Sequence, residues 1–183
     1  MDVVFRDLEA LNAGLPAVIA SPKDDGRVEL IVRRPAPGER EVIAGGELDP
    51  ESGLAGDSWR TRKDISAGNP EAQVTLINTR AISLLAGAKD RWSLAGDQFY
   101  VDMDLSEDNL PPGTQLSIGT AVLRISTIPH TGCAKFDEWY GKDARNFVTS
   151  KEGLRLRLRG VYAMVTRAGM VKTGDALKKI RQE

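Results

Sequence analysis

Short β-rich segments, each ended by glycine or proline, constrain the fold more than any other feature of the sequence. Alternating apolar residues mark these segments, and turn-forming residues separate them. We expect strands at residues 28–32, 41–44, 73–78, 99–103, within 110–128, and at 154–159, 161–166 and 169–172. Many short strands without regular strand-helix alternation favour a mainly β (α+β) fold, a partly closed antiparallel β-barrel with a few short peripheral helices.

Three other segments have the apolar spacing of short helices. Apolar residues recur at helical intervals between Phe5 and Leu15, within residues 79–89, and within residues 135–148, where Gly141 interrupts the pattern. We therefore predict one peripheral helix near the N-terminus and the others attached to the barrel.

The chain divides into three predicted parts. A helical extension occupies residues 1–20, a barrel domain residues 21–177, and a basic tail residues 178–183. A glycine-rich stretch at residues 45–56 is predicted to be a long irregular connection of the kind that often carries function.

Composition narrows the classes of function. The 183 residues carry a formal net charge of −1, so no charge imbalance indicates a nucleic-acid or membrane partner. One cysteine excludes an intramolecular disulfide and a cysteine-rich zinc site. The charged residues near the N-terminus are atypical of a signal peptide, and no run reaches the roughly 20 apolar residues of a membrane span. We expect a cytoplasmic protein.

Cys133 lies in the densest reactive cluster, PHTGCAKF at residues 129–136. A thiolate suits a soft or high-valent metal, and a nearby cation such as Lys135 favours the thiolate form. The alternative is a buried, inert thiol. His130 is the only histidine, and could orient a ligand, shuttle a proton, or simply form structural hydrogen bonds.

Two further segments carry cations. GLAGDSWRTRKD, residues 53–64, offers Arg60, Arg62 and Lys63 to an anionic ligand, or else forms turns whose cations face water. The alternating leucines and arginines of residues 154–159 predict a strand with one guanidinium face, most simply a solvated one. The acidic residues between positions 97 and 108 match no EF-hand spacing and are interpreted as a surface loop.

Five motifs occur in order along the chain: GLAGDSW, QVTLIN, AGDQFYVDMDLS, LPPGTQLSIGTAVLRIS and PHTGCAKF. From about Arg27 to Asp175 this series resembles the MOSC family, named for the C-terminal domain of molybdenum-cofactor sulfurase, and in particular its small standalone bacterial members. The resemblance implies a β-barrel with a pocket for the molybdenum cofactor, molybdopterin. Pyridoxal phosphate belongs to the fused sulfurase, and no Schiff-base lysine is evident here.

The resemblance also implies roles for individual residues. Cys133 matches the cysteine that ligates the metal in members with bound cofactor. Arg60, Arg62 and Arg159 are candidates for binding the cofactor phosphate, with Lys135 as a further cofactor-binding residue. Cys133 and His130 are the predicted catalytic residues, His130 on the substrate or proton side.

The expected function follows from these roles. We expect a molybdenum-cofactor protein that reduces an N-hydroxylated small molecule or transfers sulfur, helped by an electron-donor or sulfur-donor protein because the sequence shows no partner domain. Two alternatives remain open: a non-catalytic cofactor carrier or adaptor, and a metal-free thiol enzyme that uses Cys133 with His130.

Overall fold

A computed structural model of the chain describes residues 4–62 and 67–181. The strands are β1 (Gly26–Arg33), β2 (Glu41–Ile43), β3 (Gly45–Asp49), β4 (Gly53–Leu54), β5 (Val74–Asn78), β6 (Phe99–Asp102), β7 (Gln115–Ile118), β8 (Ala121–Ile125), β9 (Val161–Arg167), β10 (Gly169–Lys172) and β11 (Ala176–Lys179). The α-helices are α1 (Leu8–Ile19), α2 (Thr79–Ala86), α3 (Ala134–Tyr140), α4 (Lys142–Thr149) and α5 (Lys151–Arg155), and short 3-10 helices span Trp59–Thr61, Pro70–Ala72 and Lys89–Ala95.

Seven of the strands in the described residues close into a barrel. Their order is β11, β7, β8, β9, β5, β6 and β1, and β1 returns to pair with β11 through Gly26 opposite Leu177. The predicted mainly β barrel is thus confirmed, and its closure is complete rather than partial. One pair, β5 and β6, is parallel where the sequence suggested antiparallel pairing throughout. The reason is the connection, because α2 and a 3-10 helix carry the chain back before β6 begins.

The glycine-rich stretch at residues 45–56 is not an irregular connection. It forms β3 and β4, which join β10 in a separate three-stranded sheet. Gly46 allows the close packing here, since a Cβ atom at this position would lie 2.8 Å from a methyl carbon of Leu54. Leu48 and Leu54 are both buried in the barrel core, so the two strands cover one part of the barrel.

Two hydrophobic clusters hold the elements together. The first fills the barrel with side chains such as Leu76, Phe99 and Leu123. The second packs the helices against the outer surface of the sheet and includes Leu11 of α1 and Tyr100 of β6. Alternation along β6 explains this division, because successive side chains of a strand point to opposite faces. In the described parts of the chain, every helix falls short of the length and apolar character that a bilayer crossing demands.

The predicted strand at residues 154–159 is wrong. Ser150 caps a short helix instead, as its hydroxyl accepts a hydrogen bond from the Gly153 amide at 3.0 Å, and α5 continues to Arg155 before the chain turns. Arg157 has a positive φ of 50° and donates hydrogen bonds to backbone carbonyls. The arginines of this segment therefore point to different partners rather than along one solvated face.

The C-terminal segment takes part in the barrel. Lys178 and Lys179, which the sequence analysis assigned to a basic tail, lie in β11 between β7 and β1. Leu177 of this strand is completely buried in the first cluster. Closure of the barrel therefore depends on a strand contributed by the last part of the described chain.

We predict that Leu177→Ala lowers the free energy of unfolding by about 2–5 kcal/mol, because it removes a fully buried side chain and leaves a cavity. The matched control is Lys178→Ala, whose exposed ammonium group lies 3.4 Å from Asp25, and it should cost less than about 1 kcal/mol. Urea denaturation measures both values. Equal, small losses of unfolding free energy in the two variants would contradict a closed barrel.

Candidate functional site

Cys133 is exposed and directly precedes helix α3. Two aromatic side chains anchor this helix: Phe136 and Tyr140 are buried, with ring centroids 4.9 Å apart. The Tyr140 hydroxyl donates a hydrogen bond to the backbone carbonyl of Arg91 or Trp92, with oxygen distances of 2.9 Å and 3.2 Å. The spacing of the aromatic residues thus fixes one face of α3 in the core and leaves Cys133 at the surface.

The thiol lines a cavity of about 440 Å³, which we call the cationic cavity. Its charged lining in the described residues consists of four arginines and one lysine, and no carboxylate: Arg34, Arg40, Arg62, Arg159 and Lys135. A neighbouring cavity of about 460 Å³ shares four of these cations, all except Arg159. Together the two cavities provide space for a small-molecule ligand and a strong preference for an anion.

Arg34 is held by a buried ion pair. Its guanidinium donates two parallel hydrogen bonds to the carboxylate of Asp57, each 2.8 Å long, and a third to the backbone oxygen of Gly96 at 3.0 Å. The backbone amide of Trp59 donates to the same carboxylate. Asp57 thus does more than form a turn, because it fixes a cation of the cavity wall in place.

Arg40 differs from Arg34 because it has no carboxylate within ion-pair distance in the described part of the chain. Its buried Nε atom has no hydrogen-bond partner there, and its guanidinium carbon lies 6.0 Å from the centre of the Trp139 ring. Burial and the nearby charges of Arg34 and Arg62 lower the pKa of Arg40. This side chain is therefore a partly desolvated cation whose charge is not compensated locally.

Arg159 and His130 meet at a buried carboxylate. An Arg159 nitrogen donates to Oδ2 of Asp97 at 2.7 Å, and a second donates to the backbone oxygen of Ala95 at 2.9 Å. His130 Nδ1 lies 3.7 Å from Asp97 Oδ1, and neither atom has a hydrogen-bond partner in the described structure. The interpretation of Asp97 as part of a surface loop is wrong, because its side chain is fully buried.

Burial controls the charge states of this group. It raises the pKa of Asp97 despite the attraction of Arg159. Burial, together with the positive charges of Arg159, Arg34 and Arg62, holds the pKa of His130 well below its ordinary value. His130 is therefore neutral at neutral pH, and its ring packs on Tyr162 with centroids 4.3 Å apart. A neutral imidazole can accept a proton or a hydrogen bond as well as donate one.

The structure brings together most of the residues that the sequence analysis singled out. Cys133, His130, Arg62, Lys135 and Arg159 all line the cationic cavity. The two other predicted residues are Arg60 and Lys63. Arg60 is exposed in a 3-10 helix and lines neither cavity, and its charge acts on Asp49 instead. Lys63 falls outside the described residues.

Sequence reasoning missed Arg34, Arg40 and Asp97. Arg34 follows β1 directly and Arg40 precedes β2, so two arginines flank a turn that contains prolines and a glycine. Two arginines on either side of a turn were the signal by which the sequence could have indicated a cationic site. Nothing in the local sequence distinguished Asp97 from the exposed acidic residues that follow it, because its burial arises from Arg159, a residue 62 positions away.

The comparison with known families agrees with this architecture. The family model "MOSC domain" matches residues 63–178, more than half of the chain. The protein is therefore a member of the MOSC domain family. No curated protein matches the chain.

Solved structures of low sequence identity share the fold. The YUAD protein from Bacillus subtilis is 16% identical with a TM-score of 0.60, and the match covers 86% of this chain and 97% of that one. YiiM from Escherichia coli is 18% identical with a TM-score of 0.57, covering 86% and 71% of the two chains. YiiM from Geobacillus stearothermophilus is 13% identical with a TM-score of 0.59, covering 85% and 75%.

We predict that His130 makes the protein less stable in acid. Because its pKa is lowered in the folded state, the unfolded chain binds a proton that the folded chain does not as the pH falls below about 6.5. Stability should then fall by up to about 1.4 kcal/mol per pH unit from this group alone. The variant His130→Phe, which retains an aromatic ring against Tyr162, should lose this part of the pH dependence of stability.

Urea denaturation at pH 7.5 and pH 5.5 measures the effect. The raised pKa of Asp97 acts in the opposite direction as the pH falls, but both proteins contain Asp97, so their difference reports His130 together with its contact to Asp97. Identical pH dependence in the two proteins would contradict a buried, neutral imidazole.

Proposed function

We infer that the protein binds a molybdenum-bearing pterin cofactor in the cationic cavity, with Cys133 as a metal ligand and the surrounding cations bound to the phosphate. One observation carries this proposal: an exposed thiol opens into a cavity whose charged lining, in the described residues, is entirely positive. Arg40 and Lys135 form no ion pair with another described residue, so a neutral or cationic ligand would leave their charge uncompensated. Membership of the MOSC family supports the same class of ligand.

Arg40 and Lys135 fit the phosphate end of such a cofactor. Neither forms an ion pair with another described residue, and both line the two adjoining cavities. The unpartnered Nε of Arg40 offers a hydrogen bond that a phosphate oxygen would accept. Arg34 and Arg159 are already paired with carboxylates, so their charge is largely compensated within the protein.

Cys133 fits the metal end. The described residues contain no group of three or more His, Cys, Asp or Glu side chains that could hold a metal ion, so the remaining ligands would come with the cofactor itself. A thiolate is the soft donor that such a centre takes. When bound, the cofactor would supply two-electron chemistry next to the cavity wall.

Two reactions suit this arrangement. In the first, an N-hydroxylated small molecule loses its oxygen as water and takes up two electrons and two protons, with the electrons from a donor protein. In the second, the persulfide of a donor protein would give up its outer sulfur to the cofactor and be left as a thiol, with two electrons and two protons from a reductant, and the oxygen that the sulfur replaces would leave as water. In both cases the neutral His130 would accept or hold a proton on the substrate side, because the surrounding cations disfavour its charged form.

The two alternatives make different demands on the same site. A carrier or adaptor needs the cavity and the exposed thiol but no turnover, so it predicts tight cofactor binding without product when an electron donor and an N-hydroxylated compound are supplied. A metal-free thiol enzyme needs a base in contact with Cys133, and no hydrogen bond joins Cys133 to His130 among the described contacts. The geometry therefore favours cofactor binding over thiol catalysis.

We predict that Cys133→Ala, expressed in a host that makes the cofactor, lowers the molybdenum content of the purified protein at least tenfold. Arg40→Ala should weaken retention roughly 10- to 100-fold, because a charge-assisted hydrogen bond is worth roughly 1.5–3 kcal/mol. Arg60→Ala is the matched control, since it removes an exposed arginine that lines neither cavity, and it should leave the content unchanged.

Metal analysis by mass spectrometry measures these contents, and circular dichroism verifies that each variant is folded. Equal molybdenum content in the wild type and Cys133→Ala would overturn the ligand assignment. Equal losses in Arg40→Ala and Arg60→Ala would overturn the role of the cavity in holding the phosphate.

A further inference from the structure

A third cavity, of about 800 Å³, adjoins the cationic cavity. It shares His130 and Arg159 with the cationic cavity as lining residues. This third cavity is bounded by the chain that follows β8, by α5 and by the turn before β9. The cofactor role proposed above uses none of its other residues. Because apolar side chains form much of its wall, we call it the apolar cavity: Pro112, Ile128, Pro129, Val148, Leu154 and Val161.

The charges in the apolar cavity are compensated within the protein. Arg155 pairs with Glu152 at 2.6 Å and also with Asp108, and Arg159 pairs with Asp97. Arg157 donates to the backbone oxygen of Leu110 at 2.6 Å. Lys151 and Glu107 also line this cavity, and with the ion-pair partners Asp97 and Asp108 counted, four cations face four carboxylates. Unlike the cationic cavity, this wall therefore has no excess of one sign, and a charged ligand would gain nothing to offset the loss of its hydration.

His130 gives the apolar cavity a polar point at the shared wall. Its side chain is only 9% exposed, and its Nδ1 atom faces Asp97 Oδ1 at 3.7 Å, so a ligand would meet the other ring nitrogen, Nε2. Its neutral state suits a hydrogen bond with an uncharged polar group rather than with an anion. A ligand in the apolar cavity that reached His130 would also reach the boundary of the cavity that Cys133 lines.

We propose that the apolar cavity binds an uncharged, mainly apolar small molecule, such as a substituted aromatic ring, with its one polar group directed to His130. The assignment of this ligand as the substrate rests on the proposed function, because the shared wall would bring its polar group to the cofactor. The binding of the ligand does not depend on the cofactor, so it can be tested in protein free of molybdenum.

Three isosteric probes test the charge preference: benzamide, benzoate and benzamidinium. In titrations followed by amide chemical shifts, benzamide should perturb residues of the apolar cavity such as Thr127, Ile128 and Gly160. Benzoate should perturb the cationic cavity instead, at Lys135 and Arg40, and benzamidinium should perturb neither. Benzoate or benzamidinium binding in the apolar cavity as tightly as benzamide would overturn the proposal.

A matched pair of substitutions separates the two cavities. Thr127 lines only the apolar cavity and Thr131 only the cationic one, and both are exposed. Thr127→Trp should raise the dissociation constant of benzamide at least tenfold and leave molybdenum content unchanged. Thr131→Trp should reduce molybdenum content and leave benzamide binding unchanged. Lys151→Trp fills the apolar cavity from α5 and provides a second variant should Thr127→Trp fold poorly.

The outcomes are distinguishable. Benzamide binding that survives both Thr127→Trp and Lys151→Trp would refute the apolar cavity as its site. Loss of benzamide binding in Thr127→Trp and Lys151→Trp would support the apolar cavity as its site. If Cys133→Ala then kept the molybdenum content of the wild type, the cofactor role would be refuted while the apolar cavity stood.

Discussion

The ion pair between Arg159 and Asp97 underlies the arrangement of the site. Both side chains are buried, and removal of either partner would leave an uncompensated charge in the protein interior, a change that typically costs about 3–5 kcal/mol. The pair also forms part of the wall between the cationic cavity and the apolar cavity, since Arg159 lines both. Its carboxylate faces His130, while the ring of Phe136 lies 5.2 Å from the guanidinium carbon. One interaction thus connects the helix that follows Cys133 with the strand that follows Asp97.

The barrel explains how distant segments meet at this site. Arg34 comes from the end of β1, Asp97 from the approach to β6, His130 from the segment after β8 and Arg159 from the approach to β9. Strands β1, β6, β5, β9 and β8 are consecutive neighbours in the barrel, and Thr75 of β5 and Tyr162 of β9 line the cationic cavity, so these chain segments meet over the outer face of the sheet. Closure of the sheet holds that face in place, and the clustered cations depend on it because like charges repel one another.

The sequence predicted the elements that depend on local pattern and failed where distant contacts decide. Gly141 separates α3 from α4 as expected, and the β-rich segment before Asn78 forms β5. The Leu-Arg repeat was misinterpreted because a two-residue alternation outweighed the capping signal of Ser150. The site could be predicted around Cys133, where reactive residues are adjacent, and the family resemblance added Arg62 and Arg159. Arg34, Arg40 and Asp97 could not, because their importance comes from burial and from partners far away in sequence.

The pairing of β1 with β11 also has a consequence for synthesis on the ribosome. Gly26 and its partner Leu177 are about 150 residues apart, so at typical elongation rates roughly 10–30 s separate the appearance of the two strands. Throughout that interval the start of β1 lacks its neighbour, and an unpaired strand edge is a surface on which chains associate. The nascent protein therefore presents this edge to other chains until β11 emerges, and binding by a chaperone before then would protect it.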